Sequence, residues 1–119
     1  MKAKTSELYG VALDWAVAKC EGHEEAFKSF YNDFYEPEEH YSTDWSQGGP
    51  IIERIGGFEL KIWLDPKEVH PTKCEVHIHN YEGNWIEFGP TPLIAAMRCY
   101  VSSKMGDEIE VPDALCTTT

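Results

Sequence analysis

Residues 89–106, GPTPLIAAMRCYVSSKMG, constrain the fold more than any other stretch. Thr91 is a residue type that caps helix N-termini. Pro92 after it suits the first helical position, where its missing N–H costs nothing. Gly106 stands where a left-handed C-cap residue belongs. Between them, Leu93, Ile94, Met97, Tyr100, Val101 and Met105 fall on one stripe at helical spacing. The stretch reads as an amphipathic helix over about 91–105, and such a helix needs an apolar surface to lie on.

Three strands are positioned to supply that surface. In FELKIWL (58–64), Phe58, Leu60, Ile62 and Leu64 alternate with Glu59, Lys61 and Trp63. In the strand over 73–80, Cys74, Val76 and Ile78 alternate with Glu75, His77 and His79. After the turn NYEGN comes a strand over 84–88, in which Ile86 and Phe88 are expected to face the core, with Trp85 and Glu87 facing away. The result is an antiparallel meander with one apolar face. Its other face is expected to carry Lys61, Trp63, His77, His79 and Trp85.

Upstream, residues 6–21 read as a helix, with Ser6 or Thr5 as N-cap and Gly22 beyond its end. Leu8, Val11, Ala12, Trp15 and Ala18 form its apolar face, and Gly10 allows a later start, around Tyr9. In residues 23–40, Phe27, Phe30, Tyr31 and Phe34 recur at helical spacing, giving a short acidic helix or an acidic loop that ends before Pro37. For residues 44–55 the punctuation favours a helix capped by Ser42, Thr43 or Asp44, breaking at Gly48-Gly49 and restarting at Pro50. A strand over Ile51–Ile55 turning at Gly56-Gly57 is the competing reading. The expected fold is α+β, sandwich-like, with a three-stranded antiparallel sheet packed with helices. One domain spans 1–119, with an acidic aromatic insert at about 23–40 and a loosely held tail at about 107–119.

Ten basic and twenty-one acidic residues give a net charge of −11. No basic stripe exists to displace the counterions of a nucleic-acid backbone, so direct nucleic-acid binding is disfavoured. No apolar run reaches membrane-spanning length, and no signal peptide is legible, which makes the cytosol the expected compartment. Four cysteines without a CxxC pair read as reduced thiols, with Cys20 and Cys99 inside helices. Four Trp, six Tyr and five Phe are too many rings for so small a core, so some belong to a surface.

Catalytic motifs are absent: the chain holds no GxSxG, HExxH, P-loop or GxGxxG. His77 and His79 share one strand face, a legitimate metal-ligand geometry that Glu75, Glu59 or Glu87 can complete, while Cys74 points the other way. Against that stands ordinary polar decoration of a sheet. Trp63 and Trp85 beside the imidazoles can stack on a planar ligand or anchor a protein contact. Arg54 and Arg98 are the only arginines, and Arg98 is expected to hold an acid such as Asp44 or an anionic ligand. The start of the last helix, at Gly89 and Thr91, offers backbone N–H groups to an anion, although two prolines remove donors there.

Three blocks carry a resemblance: KTSELYGVALDWAVAKCEG, YSTDWSQGGPIIER and GPTPLIAAMRCYVSSKMGDEIEVP. In this order they resemble the NinX-like family of small tailed-phage proteins, related in pattern to phage α-β-α sandwich domains. The resemblance implies an accessory protein made in the cytoplasm of an infected bacterial cell, with no established activity. Tyr41, Ser42, Thr43, Asp44, Trp45, Gly48, Gly49, Pro50, Gly89, Pro90, Thr91, Pro92 and Arg98 lie in the matching blocks. Together these readings favour a binding protein without a cofactor, acting on a host component, rather than an enzyme. In one version, counter-defence works by capture of a nucleotide-like ligand between the Tyr41–Pro50 segment and the helix start at Gly89. Tyr41, Ser42, Thr43, Asp44, Trp45, Arg54, Trp85, Gly89, Thr91 and Arg98 would supply that site. In another, the acidic insert docks on a basic host protein and inhibits it. A metal-assisted hydrolase using His77 and His79 is the third. A homo-oligomer is compatible with all of them.

Overall fold

The structure, a computed structural model, describes residues 1–27, 38–64, 67 and 71–115. Its order is strand β1 (Lys2–Lys4), helix α1 (Gly10–Glu21), helix α2 (Trp45–Arg54), strands β2 (Phe58–Leu64), β3 (Pro71–Asn80) and β4 (Gly83–Gly89), helix α3 (Pro92–Met105) and strand β5 (Glu108–Glu110). β2, β3 and β4 form the antiparallel meander, and β1 pairs with β5 in a second, two-stranded sheet. The fold is α+β, as the sequence pattern requires.

α3 is the central element. Thr91 caps it by accepting from the Ile94 N–H at 3.1 Å, with Pro92 in the first turn. Gly106 has the expected positive φ, 88°, but its ψ of −165° carries the chain onward into β5 instead of curling back in a left-handed cap. Burial is not confined to one stripe: Leu93, Ala95, Ala96, Met97, Cys99, Tyr100, Val101 and Ser102 are all buried. The reason is that α3 has partners on two sides. It lies on β3 and β4, and α1 and α2 pack against it in turn. Ala95 and Ala96, too small to score as a stripe, allow this close approach.

α1 begins after Tyr9, with Gly10 its first residue, and a short 3-10 turn occupies Thr5–Glu7 before it. Gly22 closes it in the left-handed conformation, donating to Ala18 and Lys19 carbonyls. Leu13–Ala18 are all buried, on every side of the helix, while Val11 and Ala12 are only half-buried. Leu8, expected within the helix, is buried in the bend that precedes it. In the acidic insert, Glu24–Phe27 form a 3-10 turn and Phe27 is fully buried. The expected continuation through Phe30, Tyr31 and Phe34 lies outside the described residues.

α2 is the helix favoured by the punctuation, but it runs unbroken through Gly48, Gly49 and Pro50. Asp44 is the cap, accepting from the Ser46 N–H at 2.9 Å. Gly48 explains the tight seat of the helix. A Cβ there would stand 2.4 Å from the Tyr41 carbonyl and 2.7 Å from Leu93 Cδ1. After α2, Gly57 takes a φ of 71° and starts β2, where a Cβ would meet the His79 carbonyl.

The sheet register corrects the expected facing of β4. β2 and β3 pair Phe58 with Ile78, Leu60 with Val76 and Ile62 with Cys74, as their alternation implies. β3 and β4 pair Val76 with Glu87 and Ile78 with Trp85. Directly paired residues share a face, so Trp85 and Glu87 face α3, and Ile86 and Phe88 face away. A one-residue shift inverts every side chain of a strand. In the tail, Ile109 is buried within β5, and Val111 just after it.

Candidate functional site

The described helices pack on the α3 side of the meander, and none of them covers its outer face. Glu59, His77 and Ile86 form one row across it, and Lys61, Glu75 and Phe88 the next, with Trp63 beside Lys73 at the far end. Trp63, Ile86 and Phe88 are 50%, 50% and 42% exposed. The Lys73 ammonium sits 4.4 Å from the Phe88 ring centre, a cation–π contact that holds the ring on the surface. His77 Nε2 contacts the Glu75 carboxylate, and that hydrogen bond holds Glu75 below the usual carboxylate range. The face therefore combines apolar rings with a paired imidazole and carboxylate. Of the expected outer residues, Lys61, Trp63, His77 and His79 lie here. Trp85 does not: it is half-buried against the core.

Among the described residues no group of three or more His, Cys, Asp or Glu side chains could hold a metal ion. His77 and His79 share a face with Glu75 and Glu59, but Glu87 projects from the opposite one. Among the described residues, Cys20, Cys74 and Cys99 show no sign of an activated thiol. Cys74 is fully buried on the core side, away from the imidazoles, and burial pushes the Cys99 thiol up to about 12 and the Cys20 thiol up to about 11.

The Tyr41–Pro50 segment and the start of α3 are neighbours, as expected, but the Gly48 contact brings them into direct packing. Ser42 is buried and donates its backbone N–H to Asp14 Oδ1 on α1 at 2.8 Å. Thr43 and Trp45 are exposed, and Asp44 is committed to capping α2. Tyr41 is half-buried, and burial raises its hydroxyl above the usual range. Arg54, 59% exposed, pairs with Glu21, whose other oxygen accepts from the Tyr100 hydroxyl. Arg98 does not reach Asp44. Its guanidinium donates to the Leu8 carbonyl at 2.7 Å and the Phe88 carbonyl at 2.8 Å, tying the bend before α1 to β4.

Two of the expected site residues do share a cleft. Gly89 and Arg98, with Lys73, Glu87, Phe88 and Ser6, line a shallow space of about 490 Å³ at the rim of the outer face. Glu87 is half-buried there, and burial raises its carboxyl above its ordinary value. A larger and mostly apolar cleft of about 640 Å³ lies elsewhere, between β1 and the start of α1, lined by Met1, Ala3, Leu8, Tyr9, Val11 and Leu115 among others. Nothing in the sequence pattern signals it, because it depends on the pairing of β1 with β5.

No helix among the described residues is long and apolar enough to cross a membrane. Comparison with curated proteins found no match. A family model described as Bacteriophage P22, NinX matches residues 4–104, from the last residue of β1 nearly to the end of α3. The chain belongs to that NinX family of bacteriophage proteins.

Proposed function

We propose that this chain is a phage accessory binding protein that engages a host protein through the open outer face of its meander, with counter-defence as its role during infection. The observation that carries this reading is the exposure of Trp63, Ile86 and Phe88 on one sheet face. Exposed rings with polar and charged neighbours are the residue types that anchor protein interfaces. The net charge of −11 favours a basic partner and fast, salt-sensitive encounter. The test is affinity capture from phage-infected cells with the parent chain and with an Ile86→Ser/Phe88→Ser variant shown to be folded by circular dichroism. The expected result is a host protein captured by the parent, released as salt rises, and lost with the double variant. Equal capture by both forms would overturn the reading.

A second reading, capture of a small anionic ligand with a nucleotide-like ring, is favoured by the cleft at Gly89. Lys73 and Arg98 supply positive charge there, and Phe88 supplies a stacking surface. Ligand binding of this kind must raise the melting temperature in a concentration-dependent way. Its expected signature is a shift with nucleotides that Lys73→Ser abolishes.

A further inference from the structure

The two edges of the meander are not equivalent. The Gly57 carbonyl accepts from the His79 N–H at 2.9 Å, which sets the alternation along β2. Glu59 and Lys61 therefore turn their backbone groups toward β3, and Phe58, Leu60 and Ile62 turn theirs outward. Every residue from Glu59 to Trp63 is exposed. Leu60 and Ile62 lie on the α3 side of the sheet, yet are 38% and 48% exposed, because α3 covers β3 and β4 and scarcely reaches β2. On β4, by contrast, Arg98 already occupies the Phe88 carbonyl and α3 lies over the strand. Among the described residues no strand pairs with the outer edge of β2, and long, apolar edge strands left open are templates for further pairing.

We infer that the β2 edge pairs antiparallel with the same edge of a second copy, joining two meanders into one six-stranded sheet. A two-fold centred on Leu60 satisfies the strand. It sets Leu60 against Leu60 of the second copy, and Phe58 against Ile62, all with outward backbone groups and all on the α3 side of the sheet, where Leu60 and Ile62 are left bare and Phe58 is half-buried. On the outer face it sets Glu59 against Lys61 of the second copy, twice by symmetry, so the edge is complementary to itself. Centring the pair on Lys61 instead would put two ammonium groups opposite each other. β2 holds one acid and one base, so the edges meet without the repulsion that the acidic remainder of the chain would bring. This inference is independent of the proposed host contact. It would place two outer faces side by side.

Sedimentation equilibrium on the full chain, with hydrogen exchange at low and high protein concentration, tests it. The expected result is a reversible dimer in which the Leu60 and Ile62 amides slow as concentration rises. Glu59→Lys or Lys61→Glu alone turns two attractive cross-strand pairs into two repulsive ones and weakens self-association about tenfold. The Glu59→Lys/Lys61→Glu double variant restores the pairing and returns the affinity to within about threefold. Circular dichroism confirms that each variant is folded. A monomer at every concentration overturns the inference. So does a dimer indifferent to Glu59→Lys, one not restored by the double variant, or one lost instead with Phe88→Ser.

Discussion

Ser42 and Asp14, 28 residues apart, are joined by a buried hydrogen bond from the Ser42 backbone N–H to Asp14 Oδ1. Both residues are almost fully enclosed, at 1% and 4% exposure. The bond fastens the segment that precedes α2 to the middle of α1. Asp14→Ala leaves the Ser42 N–H without its acceptor inside the core, an expected loss of about 1–3 kcal/mol. Asp14→Asn keeps an oxygen in place and is expected to lose less. Urea denaturation of the two variants checks the order. Equal losses would mean that the acceptor oxygen does not matter.

Arg98 and Arg54 looked interchangeable as anion-binding candidates, and the structure separates them. Arg98→Ala orphans the Leu8 and Phe88 carbonyls and is expected to destabilise by about 2–3 kcal/mol. Arg54→Ala removes one surface ion pair with Glu21 and is expected to cost less than about 1 kcal/mol. Thermal melts of the two variants should therefore differ by several degrees. Equal melting temperatures would place Arg98 in solvent, away from both carbonyls. A loss of ligand or partner binding by Arg54→Ala would be interpretable as a direct effect. The same loss by Arg98→Ala would not.

Burial raises the Glu87 carboxyl above its ordinary 4.5, Asp107 adds to the rise, and the Ser102 hydroxyl and Arg98 work against it. An acid whose folded pKa is raised binds its proton in the folded chain at a pH where the unfolded chain has already released it. Ionised Glu87 therefore costs stability at neutral pH, and the cost fades as pH falls through the raised value toward 4.5. Glu87→Gln carries no such charge. The stability advantage of Glu87→Gln over the parent is expected to be largest near neutral pH and to shrink on acidification. A difference that grows as pH falls would contradict the placement of Glu87 on the α3 side.

Glu87 also shows where the sequence was ambiguous. In Trp85-Ile86-Glu87-Phe88, one alternate pair holds a large indole and a carboxylate, and the other holds two apolar side chains. Hydropathy alone sends Ile86 and Phe88 inward. Ser102 and Arg98 on α3, which accommodate Glu87, are tertiary partners that no local pattern reveals. α3, Thr91 and Pro92 were legible because capping and helical spacing are local. β1 and β5 were not, because three-residue strands have no period to read and their pairing spans nearly the whole chain. Of the expected site, the caps and turns at Asp44, Gly48 and Thr91 account for much of the motif as packing. The outer face is legible as a surface of interest from Trp63 and His77, but hydropathy sends its Ile86 and Phe88 to the core.

The neighbouring glycines of α2 give predictions of opposite sign. In a helix interior, Gly→Ala gains roughly 0.5–1 kcal/mol from reduced backbone freedom in the unfolded chain. At Gly49 nothing opposes that gain, since the nearest atom to an added methyl is Trp45 Cε3 at 3.9 Å, an ordinary contact. Gly49→Ala is expected to stabilise. At Gly48 the methyl would overlap the Tyr41 carbonyl, a backbone atom, at 2.4 Å, and Leu93 Cδ1 at 2.7 Å. Relieving that overlap means moving α2 away from α3, at a cost of about 1–3 kcal/mol, which outweighs the helix gain. Gly48→Ala is expected to destabilise. Denaturation midpoints should move in opposite directions for two substitutions one residue apart. If both rise, α2 is not seated against Tyr41 and Leu93, and the space between the Tyr41–Pro50 segment and the start of α3 is open enough to admit a ligand.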